Sequence, residues 1–117
     1  MMNMLINLDR EKIEKDGKYT VEEVWEMVTK EFEGYPFKQE EQEDGGILYV
    51  GQGEQSSFSG CNCAYVGLRH EEWFARYVSE WIWYENDDYD EDKWYDDDIL
   101  ASERVENPLF CTAMMGA

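Results

Sequence analysis

Three cysteines and a single histidine are the residues of this chain whose chemistry is best suited to metal binding or nucleophilic attack. Cys61 and Cys63 are separated by one residue, and His70 and Cys111 lie further along the chain. Thiolate and imidazole groups bind zinc, so these four side chains match the number of ligands that a tetrahedral site needs. Structural zinc sites usually show two spaced pairs, and only one pair is present here. We therefore expect no metal site, and a small Cys/His metal-binding protein is kept as an alternative.

Cys61 or Cys63 could act as a nucleophile, with His70 as the base and an acidic residue to orient it. No local signature supports this arrangement, because any chain with three cysteines and 28 acidic residues offers such a trio by chance. Negative surroundings also raise the pKa of a thiol and so reduce the thiolate that attacks. The sequence predicts a protein that is not an enzyme and that holds no cofactor.

Acidic residues are the most prominent chemical feature of the chain. The 28 Asp and Glu residues outnumber the 10 Lys and Arg residues, and the formal net charge is −18. Residues 85–98 contribute −8 of this charge and residues 22–44 contribute −7. A field of this sign excludes an electrostatic affinity for nucleic acid or for an anionic membrane surface. It favours a basic partner instead.

Aromatic residues are interleaved with the acids of residues 85–98, which distinguishes this segment from a purely solvating acidic tail. Trp94 and Tyr95 are of the types that anchor protein interfaces. As a helix, the segment would carry one net charge per roughly 2.6 Å, between the ~1.7 Å of duplex DNA and the ~3.4 Å of one strand. The predicted partner-binding residues are Glu85, Asp87, Asp88, Tyr89, Asp90, Glu91, Asp92, Trp94, Tyr95, Asp96, Asp97 and Asp98, with Glu40, Glu41, Glu43 and Asp44 from the other acidic segment.

In size, charge and clustering of acids the chain resembles the small acidic DNA-mimic proteins, such as the anti-restriction and anti-CRISPR proteins of phages and mobile elements. The resemblance lies in this general character and not in a motif. It implies a protein that binds and blocks a basic nucleic-acid-binding protein, such as a nuclease. An immunity or antitoxin-like protein that neutralises a basic toxin enzyme is the alternative in the same class. An acidic subunit of a homo-oligomer is a further alternative.

The pattern of apolar residues predicts a single α+β domain over residues 1–117. Thr20-Val21-Glu22-Glu23 fits a capping box and opens a helix over residues 20–33. Residues 47–50 and 63–66 read as strands of a short antiparallel sheet, with residues 51–60 as a loop between them. A second helix is expected over residues 69–86, and the acidic segment is expected to flank these elements, with Trp94 and Tyr95 in a third, short helix.

The sequence also bears on the cellular compartment. No apolar run approaches the roughly 18–20 residues that span a bilayer. Residues 1–8 lack the basic start and long apolar stretch of a signal peptide. An odd number of cysteines does not suit a disulfide framework, so a cytoplasmic location is expected.

Overall fold

Strand β1 (Met2–Leu8) lies at the centre of a five-stranded antiparallel sheet. The structure is a computed structural model that describes residues 1–87 and 89–115, apart from the side chain of Met115. The sheet has the order β2-β3-β1-β4-β5. Its other strands are β2 (Phe37–Glu41), β3 (Ile47–Gly51), β4 (Val78–Asn86) and β5 (Trp94–Asp98). Strands β2 and β5 are therefore its two edges.

The described helices cover one face of this sheet. They are α1 (Arg10–Asp16), α2 (Val21–Lys30), α3 (Glu54–Leu68), α4 (Glu72–Tyr77), α5 (Ile99–Glu106) and α6 (Pro108–Met115). The alternation of β1 explains the covered face, because Met2, Met4, Ile6 and Leu8 are buried while the residues between them are only half-buried. The expected α+β class is confirmed, with six described helices where two main ones were predicted. None of these helices is long and apolar enough to cross a membrane.

The core between sheet and helices is built around aromatic rings. Trp81 of β4 is fully buried, and its ring lies 4.9 Å from that of Phe74 and 5.9 Å from that of Phe110, measured between centroids. On the other side of β1, the rings of Phe32 and Tyr49 stack at 4.0 Å. These contacts fix the helices to the sheet, and burial raises the pKa of the Tyr49 hydroxyl to about 12.

The capping motif at the start of α2 and the strand β3 follow the sequence pattern. Thr20 and Glu23 form the predicted reciprocal cap, with each side chain accepting a hydrogen bond from the other's backbone N–H. The predicted strand at residues 47–50 is β3. Local signals were sufficient in both cases, because a cap and a short β-branched run need no distant partner to be recognised.

The predicted return strand at residues 63–66 is wrong, since these residues lie within α3. Residues 51–60, expected to form a loop, mostly belong to the same helix. Its small residues serve close packing: a Cβ atom on Gly60 would lie 2.4 Å from the ring of Phe37. The Gly- and Ser-rich composition of this segment therefore reflects a helix that packs closely against its neighbours, and not a flexible connection.

The predicted helix over residues 69–86 is also wrong. Only Glu72–Tyr77 is helical, and Val78–Asn86 forms β4 between β1 and β5. The run Trp81-Ile82-Trp83-Tyr84 consists of residues that favour strands, and pairing on both sides satisfies its backbone.

Asp16 at the end of α1 links this helix to α4. Its carboxylate accepts hydrogen bonds from the Arg76 guanidinium, at 2.8 Å for Nη2, and from the Tyr77 hydroxyl at 2.9 Å. These donors hold the pKa of Asp16 well below its usual value. The pair therefore stabilises the fold at neutral pH, and the contribution disappears as the pH falls through this lowered pKa.

Asp16→Asn is expected to be less stable than the wild type at pH 7, and the difference in free energy of unfolding should narrow as the pH falls below about 4. Urea unfolding of both proteins between pH 7 and the acid limit of the fold measures this difference. Comparing the two proteins at each pH cancels the common effect of protonating the other carboxylates. A difference that stays constant over the whole range would contradict the proposed linkage.

Candidate partner-binding surface

The acidic run at residues 85–98 is a β-hairpin. Strand β4 ends at Asn86, residues 87–93 form the connection, and β5 returns beside β4. The expected third helix containing Trp94 and Tyr95 is therefore wrong, because both residues lie in β5 and the next helix begins at Ile99. The backbone N–H of Asp87 donates to the carbonyl of Lys93 at 2.8 Å and closes the connection. We call residues 85–98 the acidic hairpin; Asp88 lies outside the described residues.

Several groups of the acidic hairpin hold its shape. The Asp87 carboxylate accepts hydrogen bonds from the backbone N–H of Tyr89 at 2.8 Å and from the Tyr95 hydroxyl at 2.9 Å. Both bonds favour the ionised form, so the pKa of Asp87 is lowered while that of Tyr95 is raised. The Lys93 ammonium lies 5.4 Å from the centre of the Tyr95 ring. Asp87 is thus part of a folded turn.

Strand β5 carries three consecutive exposed aspartates, Asp96, Asp97 and Asp98. An antiparallel strand rises about 3.4 Å per residue, so the three aspartates place one charge per ~3.4 Å of strand axis, the same axial charge density as one strand of B-DNA. Their side chains alternate between the two faces of the sheet. Asp98 also caps α5, accepting a hydrogen bond from Ala101 N–H at 3.1 Å. The strand therefore holds its charges at a fixed spacing.

On the helix side, the acidic hairpin borders a depression of about 330 Å³. The register places Trp83 opposite Asp97 and Glu85 opposite Tyr95, so that rings and carboxylates alternate. Phe58 of α3, which is 53% exposed, forms another part of the wall. This combination of carboxylates and aromatic rings suits a guanidinium or ammonium group with an aliphatic stem.

The second face of the sheet is not covered by any helix among the described residues. One row crosses all five strands in the order Glu40, Leu48, Leu5, Ile82 and Asp98. Its centre is apolar and both ends are carboxylates. The next row has the order Lys38, Val50, Asn3, Tyr84 and Asp96. We call this surface the open face.

The second predicted acidic segment does not extend the acidic hairpin. Glu40 and Glu41 lie on β2, and Glu43 and Asp44 lie in the turn that follows it. Four strand spacings of about 4.8 Å put β2 and β5 roughly 19 Å apart. The two connections also lie at opposite ends of the sheet, because Ile6 pairs with Ile47 while Met2 pairs with Glu85. The two connections therefore lie at diagonally opposite corners, while Glu40 and Asp98 end the same row on opposite edges, and the acids form two patches.

The cysteines and the histidine are not brought together. Cys61 is buried, and burial raises the pKa of its thiol to about 12. Cys63 is exposed, with its sulfur 3.3 Å from the Tyr35 hydroxyl, and the Cys111 thiol donates to the carbonyl of Arg104 at 2.9 Å. The described part of the chain contains no group of three or more His, Cys, Asp or Glu side chains that could hold a metal ion.

Sequence reasoning missed the apolar residues of this surface. Leu5, Leu48 and Ile82 sit at half-buried positions that point away from the helices. The sequence did contain a signal for this surface: the apolar and aromatic residues around Trp83 and Tyr84 are more numerous than one buried helix face needs. An apolar residue at every position of residues 81–84 is typical of a strand that is covered on both faces, although no helix among the described residues covers the outer face of β4.

Comparisons of the chain with protein-family models, with curated proteins and with solved structures found no match.

Proposed function

We propose that this protein binds a basic nucleic-acid-binding protein, such as a nuclease, and blocks its nucleic-acid site. The observation that carries the proposal is the run of three exposed aspartates on β5, with a charge per length of strand axis similar to that of one DNA strand, directly beside exposed Trp94 and Tyr95. Trp94 is 43% exposed and Tyr95 is 48% exposed. Large aromatic rings left in water next to a rigid row of charges are typical of a surface that is buried in a complex.

The two kinds of residue serve different steps of binding. The carboxylates attract a basic surface over a distance of about one Debye length and so raise the rate of association. Lys and Arg side chains that otherwise hold phosphates then pair with the carboxylates of Asp96, Asp97 and Asp98. The aromatic rings exclude water from the contact and slow dissociation. Nucleic acid and this protein would compete for the same basic groups.

The proposal is tested by affinity capture with the immobilised full chain, using extract of the cells that encode it. We expect a basic protein to be retained at about 50 mM salt and released at about 500 mM. Duplex DNA or RNA added at low salt should also release it, because it occupies the same cations. Capture of a basic protein that nucleic acid does not displace would contradict this proposal and favour the toxin-neutralising alternative. If no basic protein were retained, both the proposed function and the toxin-neutralising alternative would be contradicted.

Acid-to-amide variants provide the matched control for this capture. Glu22, Glu26 and Glu33 are exposed acids outside the acidic hairpin, on α2 or in the turn that follows it. Changing these three residues to glutamine alters the net charge by the same amount as changing Asp96, Asp97 and Asp98 to asparagine. If both triple variants lost the partner equally, retention would depend on net charge alone and not on the acidic hairpin.

A further inference from the structure

The open face provides a second contact surface whose chemistry is different from that of the acidic hairpin. Its central residues are half-buried by their own neighbours and face away from the core cluster. A shallow depression of about 180 Å³ lies at its centre, lined by Asn3, Leu5, Gln42, Leu48, Tyr84 and Trp94. We infer that the open face binds a short amphipathic helix of the partner that has an apolar side flanked by lysines or arginines.

The width of the apolar strip matches one helix. Leu48, Leu5 and Ile82 lie on three adjacent strands, so the strip is about 10 Å wide at a strand spacing of about 4.8 Å. An α-helix with its side chains is about 10–12 Å in diameter. A single helix laid along β1 therefore covers the strip and contacts the edge strands only at its margins, where Trp94 of β5 borders the central depression.

The edges of the open face determine the charge of that helix. Glu40 terminates the apolar row on β2, and Asp98 terminates it on β5. Asp96 lies at the end of the next row, and Glu80 on β4 pairs with Asn7 on the same face. The β5 edge of the strip is thus acidic, and the β2 edge carries Glu40 with Lys38 at the end of the next row. The pKa of the Tyr84 hydroxyl is raised by its burial and by Asp96 and Glu80. Long basic side chains leaving both sides of a helix would reach these acids.

The length of the strip limits the helix to a few turns. From the row of Leu5 to the position of Trp94, the open face extends four residues along the strands, or about 14 Å. At 1.5 Å per residue this corresponds to about nine helical residues, with apolar anchors at positions i, i+3, i+4 and i+7. A second copy of this chain is a poor occupant, because its own acidic edges would meet those of the first.

This inference rests on the proposed function, and it is tested with a model peptide so that the two can fail separately. The probe is a peptide of about 14 residues made of leucine and lysine at helical spacing, and the control peptide has the same composition without that spacing. Both are titrated into the isotope-labelled full chain while backbone amide resonances are followed by NMR. We expect the patterned peptide to shift amides of β1, β3 and β4, and to bind at least about tenfold more tightly than the control peptide.

Trp94 and Tyr95 offer a matched pair of variants. They are neighbours on β5 with similar exposure, but Trp94 faces the open face and Tyr95 faces the helix side. Trp94→Ala and Ile82→Thr should each weaken binding of the patterned peptide by about three- to tenfold, while Tyr95→Ala leaves it unchanged. Amide shifts confined to residues 87–98, equal binding of the two peptides, or equal losses in Trp94→Ala and Tyr95→Ala would overturn the inference.

The outcome separates the two proposals. If a basic partner is captured and displaced by nucleic acid, but the peptide does not bind the open face, the proposed function stands and this inference fails. If the peptide binds the open face and no basic partner is captured, the surface is as inferred and the proposed function fails. Self-association of the full chain that Ile82→Thr abolishes, measured by sedimentation, would assign the face to a second copy and overturn the inference.

Discussion

Trp81→Ala is expected to lower the free energy of unfolding by about 3–5 kcal/mol. The side chain is fully buried between β4 and the helices. It contacts the rings of Phe74 and Phe110, and its indole N–H lies 3.2 Å from the sulfur of Met4 on the neighbouring strand. Removing it leaves a cavity where the sheet and two helices meet. A small domain is stable by about 5–15 kcal/mol, so the loss is a large part of the total.

The measurement is urea unfolding followed by circular dichroism, with Trp94→Ala as the control. Trp94 lies on the same sheet but on the open face and is 43% exposed. Its removal should change the free energy of unfolding by no more than about 1 kcal/mol. Trp81→Phe keeps most of the apolar volume and provides a foldable variant if the alanine protein does not fold. If Trp81→Ala and Trp94→Ala lowered the free energy of unfolding by similar amounts, the description of one sheet face as core and the other as open would be contradicted.

The extent to which this fold can be predicted from sequence depends on how local the determining interactions are. The cap at Thr20 and the strand at Ile47 were predicted correctly, because each is recognised from a few adjacent residues. Residues 78–86 form a strand because they pair with β1, and the paired residues are at least 70 positions apart in the chain. A run of aromatic residues fits a helix stripe and a strand equally well until its partners are known.

The candidate site could likewise be predicted only in part from the sequence. The acids and aromatic rings of the acidic hairpin were identified from composition, since clustered charge is visible in the sequence. Their arrangement was not, because the spacing and the side on which each carboxylate lies depend on β5 being a strand. The open face was not predicted at all. It requires Leu5, Leu48 and Ile82 to be brought side by side by a register that no local motif specifies.

Changing Asp96, Asp97 and Asp98 together to asparagine is expected to weaken binding of the captured basic partner by about 10- to 100-fold at low salt. Each exposed ion pair contributes modestly, and three adjacent pairs together account for a loss of this order. The decrease should appear mainly in the association rate, because these carboxylates attract the partner before contact. The fold should be unchanged or slightly more stable, since asparagine at position 98 still caps α5 and self-repulsion falls.

Calorimetry and surface binding kinetics at several salt concentrations measure this effect against the variant in which Glu22, Glu26 and Glu33 are changed to glutamine. The difference between the two triple variants should shrink as salt increases, because screening removes the contribution of exposed charges. Trp94→Ala should also weaken binding, but mainly through the other rate constant, because it should raise the dissociation rate more than it lowers the association rate. A surface that competes with phosphates must lose affinity when its charges are removed. If the aspartate variant bound as tightly as the wild type, the carboxylates of β5 would therefore serve only to keep the protein in solution.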